Sequence, residues 1–176
     1  MSLINYVTRV QFGYGEIATL KAELALAAIT RPVIVTDKGV RALGMLERIE
    51  AATGVTPAAV FDETPGNPTE AAAVKATALF REAGGDGIIA IGGGSALDLA
   101  KAVAIMAAHE GPLKTYAVVE GGLEKITSRT FPTIAVPTTA GTGSEVGRAA
   151  IIILEDGRKL GLLSPYIIPK PAIVDP

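Results

Sequence analysis

Three consecutive glycines followed by a serine, Gly92-Gly93-Gly94-Ser95, are the part of this sequence best suited to bind an anion. A short apolar run precedes them and an amphipathic run follows, which predicts a buried strand, a tight turn and a helix. Ser95 stands where a helix N-cap is expected, and Asp98, three positions later, would complete an acidic variant of the capping box. Glycines let the backbone approach a ligand closely, and the N-terminus of a helix attracts negative charge. The expected ligand is therefore a phosphate.

The spacing of these glycines differs from the common dinucleotide fingerprint. In G-x-G-x-x-G a third glycine follows at a fixed distance, and here none does. A plain strand-to-helix turn is the simpler interpretation of the motif. One glycine normally suffices for such a turn, however, and three are costly in chain entropy. The pattern therefore favours anion binding without naming the ligand.

A second candidate loop follows the apolar run 131–136 and is rich in hydroxyl groups. The hydroxyl groups belong to Thr138, Thr139, Thr142 and Ser144. Uncharged donors and acceptors of this kind suit the phosphates, sugars or amide of a cofactor, although loop hydroxyls also bond their own backbone. Loops that follow parallel strands open into one crevice at the carboxyl edge of the sheet. Two such loops in one chain favour a shared binding site.

Four further polar residues could serve a site or only the fold. Asp37 follows the apolar run 32–36, where it could accept bonds from a ribose diol or cap the next helix, and the sequence leaves both roles open. Asn67 lies in a Pro-Gly-Asn-Pro turn, where asparagine is commonly a turn residue. Lys159 has apolar neighbours and could reach a ribose or phosphate, or simply be solvated. His109 is the sole histidine, and a helix-end role is expected for it.

The elements that must position these residues alternate between strands and helices. Apolar runs predict strands at 10–15, 32–36, 58–61, 88–91, 131–136 and 171–176, and helical spacing predicts helices at 16–28, 40–52, 69–80 and 95–108. Residues 149–154 and 159–163 read as a β-hairpin, while 110–129 are polar and unassigned. The predicted fold class is α/β, a Rossmann-like parallel sheet with helices on both faces plus a β-hairpin. Residues 1–176 are expected to form one domain.

For two of these helices, at 40–52 and 69–80, the sequence also predicts the buried face or the ends of the helix. In the first, one face is apolar, and its members are Val40, Leu43, Leu46, Ile49 and Ala52. In the second, Thr69 is the expected N-cap, and Gly84-Gly85 is expected to end the helix.

Composition excludes several classes of function. Hydrophobic residues make up 49% of the 176 residues but aromatic residues only 5%, which suits helices packed closely on a parallel sheet. The formal net charge of −2, with acids and bases mixed, gives no electrostatic footprint for nucleic acid or an anionic membrane surface. No apolar run approaches the ~20 residues of a membrane span. The chain has no cysteine, which excludes disulfides and thiolate metal sites and fits a cytoplasmic location.

The two loops, taken with their flanking residues, resemble a known family. Gly92-Gly93-Gly94-Ser95-x-x-Asp98-x-Ala100-Lys101, and the run from Phe131 through Thr138-Thr139-Ala140-Gly141-Thr142-Gly143-Ser144-Glu145, are similar to the motifs of the iron-containing (group III) alcohol dehydrogenases. Asp37, the turn at Asn67 and the closing Ala172-Ile173-Val174-Asp175-Pro176 match in order. The resemblance covers essentially the whole chain.

The resemblance implies a nicotinamide cofactor and a role for each candidate residue. The turn Gly93-Gly94-Ser95 would hold the pyrophosphate, and Asp98 would lie near the nicotinamide. The groove from adenine to phosphate would be lined by Thr138, Thr139, Thr142 and Ser144. Asp37 would sit at the adenosine ribose, where a carboxylate repels a 2′-phosphate and favours NAD over NADP. Asn67 and Lys159 are also assigned to the cofactor by the resemblance.

The same resemblance also implies which functions the chain alone should lack. In the family a second, all-helical domain supplies an aspartate and three histidines that bind Fe²⁺ or Zn²⁺, and this sequence resembles only the amino-terminal half. We therefore expect no catalytic or metal-binding residue in the chain, weak NAD binding, and no oxidation of an alcohol or reduction of an aldehyde by the chain alone. An apolar surface meant for a second domain would also promote homo-oligomers.

Two alternatives stay open at this point. The domain could belong to a related enzyme, such as a glycerol (polyol) dehydrogenase or a maleylacetate reductase, although the string Thr139-Ala140-Gly141-Thr142-Gly143-Ser144-Glu145 favours the alcohol dehydrogenase branch. It could instead be a non-catalytic nucleotide-binding or assembly module.

Overall fold

The described part of the chain is built on a parallel sheet of six strands. The computed structural model describes residues 8–176. The strand order is β1-β8-β5-β4-β2-β3, and every neighbouring pair is parallel. The six strands are β1 Val10–Phe12, β2 Pro32–Val35, β3 Ala59–Phe61, β4 Gly87–Gly92, β5 Thr133–Pro137 and β8 Ala172–Val174. The remaining two, β6 Ala149–Ile153 and β7 Lys159–Leu163, form a separate antiparallel hairpin. The predicted hairpin is therefore confirmed.

Within residues 8–176, five α-helices connect the strands. They are α1 Leu20–Leu26, α2 Lys38–Ala42, α3 Met45–Thr53, α4 Glu70–Glu82 and α5 Gly94–Ala108. The predicted helix at 16–28 begins as a 3₁₀ turn, Glu16–Thr19, before α1. Two more 3₁₀ turns, Leu113–Tyr116 and Val118–Glu120, occupy the stretch that the sequence left unassigned, and a fourth covers Pro165–Ile167.

The sheet is covered on both faces, because its buried strands are apolar on both sides. In β4, Ile88 and Ala90 belong to a core cluster shared with α4 and α5. The alternate residues Ile89 and Ile91 belong to a second cluster, shared with α1, α2 and α3. The α4 and α5 face is rich in alanine, which allows the helices to lie close to the sheet and to each other. The predicted α/β class with helices on both faces is confirmed.

One predicted helix is wrong in its interior. The continuous helix expected at 40–52 is divided into α2 and α3 by Gly44, whose φ of 68° is left-handed. Because of this interruption, the residues of the expected apolar face no longer point in one direction. Val40 and Ile49 are buried, whereas Leu43 is 76% exposed and Ala52 is exposed. Apolar periodicity continues through the break, so periodicity alone could not reveal it.

The hairpin is fastened to the body of the domain near the start of α4. The backbone N–H of Ile153 donates to the carbonyl of Pro68 at 2.9 Å, and Thr69 forms a parallel bridge with Ile153. The buried carboxylate of Glu70 accepts from the backbone N–H of Glu155 at 3.0 Å. These bonds fix the hairpin beside the turn that connects β3 with α4.

The start of α4 agrees with its sequence prediction and offers a stability test. Thr69 is the N-cap, and its hydroxyl accepts from the backbone N–H of Ala72 at 3.2 Å. Replacing Thr69 with alanine should lower the free energy of unfolding by about 1 kcal/mol, because that N–H loses its acceptor. Urea unfolding measures the difference. Thr69→Ser keeps the hydroxyl and should retain most of the stability, so equal losses in both variants would contradict the capping role.

Candidate cofactor cleft

The strand order creates a crevice at the carboxyl ends of β2 and β4. Counted from β2, the five strands β2, β3, β4, β5 and β8 follow the doubly wound order 2-1-3-4-5. The chain leaves β2 and β4, which are neighbours, toward opposite sides of the sheet, and such a switch point is where α/β sheets bind ligands. A cavity of about 900 Å³ lies there. Six of the predicted site residues line it, namely Asp37, Gly93, Gly94, Ser95, Thr138 and Thr139.

The glycine turn leaves little room for side chains, and at Gly92 the backbone conformation itself favours glycine. Gly92 has a φ of +143°, and a Cβ there would lie 2.9 Å from the Cβ of Ala96. A Cβ at Gly93 would lie 3.3 Å from the hydroxyl oxygen of Thr139, and one at Gly94 would lie 3.2 Å from the Cβ of Thr142. The two loops predicted to share one crevice therefore approach each other closely. Because Gly93 and Gly94 have no side chains, the narrow space between the two loops stays unfilled.

The helix that follows the turn begins earlier than predicted. The N-cap of α5 is Gly93, not Ser95, because the chain has already turned at Gly92, and no side chain caps the helix. Ser95 is the second residue of α5, too far inside the helix to cap it, and its hydroxyl donates to the carbonyl of Gly66 at 2.7 Å. The prediction of Ser95 as N-cap, with Asp98 in a capping box, is therefore wrong. A glycine N-cap leaves the first N–H groups of α5 accessible from the cavity side.

Asp37 caps a helix, which is one of the two roles that the sequence left open, and its carboxylate also lies beside the glycine turn. It is the N-cap of α2, and its Oδ1 accepts from the backbone N–H of Val40 at 2.9 Å. Its other oxygen, Oδ2, lies 3.3 Å from where a Cβ of Gly92 would be, which places the carboxylate beside the glycine turn. Asp62 and Glu63 also line this end of the cavity. The Asp37 end of the cleft is accordingly acidic.

The far side of the glycine turn holds a network that includes Asp98 and Ser144. The Oδ1 atom of Asp98 accepts from the hydroxyl of Ser144 at 2.6 Å, and its Oδ2 accepts from the backbone N–H of Ile151 at 3.0 Å. Ser144 is buried, and Asp98 is 16% exposed. Both residues thus bind the segment after β5 to α5. They lie outside the residues that line the main cavity.

At the centre of this network is a residue that sequence reasoning did not propose for the site, Lys101. Its side chain is fully buried, and its Nζ donates to the carbonyl oxygens of Ser144 and Ala149, both at 2.7 Å. The Ser144 hydroxyl and the Gly147 carbonyl accept at 3.0 Å. Burial lowers the pKa of Lys101 to about 8, and the nearby carboxylates oppose this shift. At neutral pH the side chain is therefore an ammonium group.

A sequence signal for this network was present. Asp98 and Lys101 are the charged residues of α5, which is otherwise small and apolar, and they are three positions apart. Residues at this spacing lie on one face of a helix, so two opposite charges within a buried helix predict a buried polar network.

Asn67 and Lys159 contact each other. The Nζ of Lys159 donates to the Oδ1 of Asn67 at 3.0 Å, and both side chains are exposed. Neither lines the main cavity, and Thr142 does not line it either. The pair joins the hairpin to the turn before α4, and Gly66 of that turn lines the cavity.

His109 has the helix-end position that was predicted. It is the C-cap of α5 and is buried. Its Nδ1 lies 3.0 Å from the carbonyl oxygen of Ile105, and its Nε2 accepts from the backbone N–H of Thr127 at 3.1 Å. The ring therefore holds the long connection before β5 against the end of the helix, away from the glycine turn.

Two features are absent from residues 8–176, a cluster of metal ligands and a membrane-spanning helix. In that part of the chain, no group of three or more His, Cys, Asp or Glu side chains could hold a metal ion, so the residues present do not fit the metal that the resemblance implies. Within the same range, every helix is too short or too polar to cross a bilayer.

The comparison with characterised proteins gives a consistent result. The sequence profile of the family described as "Iron-containing alcohol dehydrogenase" matches residues 7–176. A 4-hydroxybutyrate dehydrogenase of Cupriavidus necator is 56% identical over 177 residues, covering 100% of this chain and 46% of that protein. A 1,3-propanediol dehydrogenase of Klebsiella pneumoniae is 35% identical and is covered to 43%. The chain thus spans less than half the length of these relatives.

Solved structures agree with the sequences. A sulfoacetaldehyde reductase from Bifidobacterium kashiwanohense, solved in complex with NAD⁺, superimposes with a TM-score of 0.87 at 28% identity. The superposition covers 99% of this chain and 46% of that one. The profile match over nearly the whole chain establishes the relationship, and the fold and glycine turn are those expected of it. The chain belongs to the iron-containing alcohol dehydrogenase family.

Proposed function

We propose that this chain is the nicotinamide-dinucleotide-binding domain of an alcohol dehydrogenase. The observation that carries the proposal is the bare glycine turn at the switch point, where the N-terminus of α5 opens into a cavity of about 900 Å³. Glycines without Cβ atoms and unpaired helix N–H groups are what a pyrophosphate requires. The relative solved with NAD⁺ supports the choice of this ligand.

The residues of the chain have distinct parts in this proposal. The turn Gly93-Gly94-Ser95 binds the pyrophosphate through backbone N–H groups, and Thr138 and Thr139 offer hydroxyl bonds from the opposite wall. Asp37 receives the adenosine ribose, and the acidic end of the cleft disfavours the 2′-phosphate of NADP. The nicotinamide extends toward Asp98 and Ser144. When bound, the nicotinamide ring accepts hydride from an alcohol carbon or returns it to an aldehyde or ketone.

For the whole protein, we also propose a class of substrate and a metal. The 56% identity with a 4-hydroxybutyrate dehydrogenase supports a hydroxy acid as the alcohol. The family resemblance supports iron or zinc as the metal, and since no donor set in residues 8–176 fits one, we assign no step of the reaction to metal ligands of this chain. A cytoplasmic location and homo-oligomers stay predictions from the sequence.

Calorimetric titration of the chain with NAD, NADP and ADP-ribose tests the proposal. NAD and ADP-ribose should both release or absorb heat with one-to-one stoichiometry, and NADP should bind more weakly than NAD. ADP-ribose contains the pyrophosphate and both riboses, so it should retain most of the affinity of NAD. Absence of heat with all three ligands would contradict the proposal and favour a non-catalytic assembly module.

A further inference from the structure

We propose that Lys101 is a positioning residue for the nicotinamide end of the cleft, acting by holding the segment after β5 against α5. This inference rests on the proposed binding of NAD. It also rests on the direct bonds of the Lys101 ammonium to the segment that carries Ser144, and through Ser144 to Asp98.

The hydrogen-bond directions require the protonated form of Lys101. The ammonium group has three N–H donors and no acceptor, and it faces four oxygen acceptors within 3.0 Å. Because the Ser144 hydroxyl accepts from Nζ, its own proton is directed to the Oδ1 of Asp98. A neutral amine would direct its lone pair at one of these oxygens. Loss of the proton therefore weakens the chain of bonds from Lys101 through Ser144 to Asp98.

The same contacts indicate which part of the proposed cofactor site should respond to a change at Lys101. Lys101 bonds the backbone at Ser144, Gly147 and Ala149, which run from the end of the hydroxyl-rich loop to the first residue of β6. The residues at the other end of the crevice, around Asp37, belong to different elements. Disturbing Lys101 should therefore change contacts to the nicotinamide more than contacts to the adenosine and pyrophosphate.

The charged groups that face Lys101 are few. The Oδ1 of Asp98, on α5 itself, lies 3.9 Å from Nζ. Glu145, on the segment after β5, is the other carboxylate that raises the pKa of Lys101 against the lowering caused by burial. Arg148 is on the same segment, but its side chain is exposed. With a pKa of about 8, the ammonium should lose its proton at mildly alkaline pH.

The test compares NAD with ADP-ribose, which lacks only the nicotinamide. Lys101→Met removes the charge while keeping the length of the side chain, and we expect it to weaken NAD binding by about five-fold with ADP-ribose nearly unchanged. Lys21→Met, at an exposed position of α1, is the matched control and should alter neither affinity. Equal weakening of both ligands would show a general structural role and overturn the inference, as would an unchanged NAD affinity.

A pH series on the unmodified chain provides a second readout that does not depend on the variant folding. The ratio of NAD to ADP-ribose affinity should fall as the pH rises from about 7 to about 9, because Lys101 loses its proton in this interval. In folded Lys101→Met the ratio should not change with pH. A flat ratio in the unmodified chain would overturn the inference. If the unmodified chain bound neither ligand, the proposed function itself would fail, and this inference with it.

Discussion

Replacing Gly93 with valine should lower the affinity of the chain for NAD by about 100-fold, a loss of roughly 2.7 kcal/mol. Gly93 has φ −77° and ψ −173°, which a valine can adopt, so the fold should tolerate the change. The side chain would occupy the gap in front of Thr139, since even a Cβ comes within 3.3 Å of its hydroxyl oxygen. A pyrophosphate at the N-terminus of α5 would then be excluded. Calorimetry with NAD and ADP-ribose should show the same loss for both.

A matched control separates this exclusion from a general effect of removing a glycine. Gly161 lies in β7, where an added Cβ would make only an ordinary contact of 3.5 Å with Ile151, and it does not line the cavity. Gly161→Val should therefore leave NAD affinity unchanged. If Gly93→Val bound NAD as tightly as the unmodified chain, the pyrophosphate would not lie on this turn.

Replacing Asp37 with glycine should raise the affinity for NADP relative to NAD by at least about ten-fold. A carboxylate at this position repels the 2′-phosphate of NADP and accepts bonds from the free ribose diol of NAD. Its removal therefore favours one ligand and disfavours the other. The ratio of the two dissociation constants, measured by calorimetry at fixed ionic strength, checks the prediction, because exposed charges are screened by salt.

The capping role of Asp37 requires a second variant. Its Oδ1 accepts from the N–H of Val40, so glycine removes a helix cap as well as a charge. Asp37→Asn keeps an oxygen that can cap α2 and removes only the charge. Asparagine should move the ratio in the same direction with less loss of stability. An unchanged ratio in both variants would remove Asp37 from the ribose site.

The fold was predictable because its signals are local. Buried strands read as short apolar runs, and the helix starting after Thr69 has a clear cap and a glycine stop. Alternation of the two kinds of element then predicts a parallel sheet covered on both faces. The break at Gly44 was not predictable in this way, because the apolar period of the helix continues across it.

In the candidate site, the sequence predicted some of the residues that line the crevice but not the contacts that they make. Gly93, Ser95 and Asp37 line the cavity as expected, yet Ser95 bonds a neighbouring turn where a cap was predicted. The conformation of Gly92 moved the start of the helix, and three consecutive glycines do not reveal which one turns. The spacing of Asp98 and Lys101 on α5 was a signal for a buried polar network, but three of the four acceptors of Lys101 are backbone carbonyls, which a sequence does not display.

The pairing of Lys159 with Asn67 shows the same limit. The two residues are far apart in the sequence, and only the docking of the hairpin beside the turn before α4 brings them within 3.0 Å. Contacts of this kind depend on tertiary packing, for which local patterns carry no information.

The most direct measurement of the central claim is the change in backbone amide NMR shifts of the isotopically labelled chain on adding NAD. The account predicts that the largest changes occur at the N–H groups of Gly93, Gly94 and Ser95, with smaller changes at Asp37 and Thr139, and that ADP-ribose reproduces them. Saturable changes elsewhere, with the glycine turn unaffected, would contradict the assignment of this turn as the pyrophosphate site.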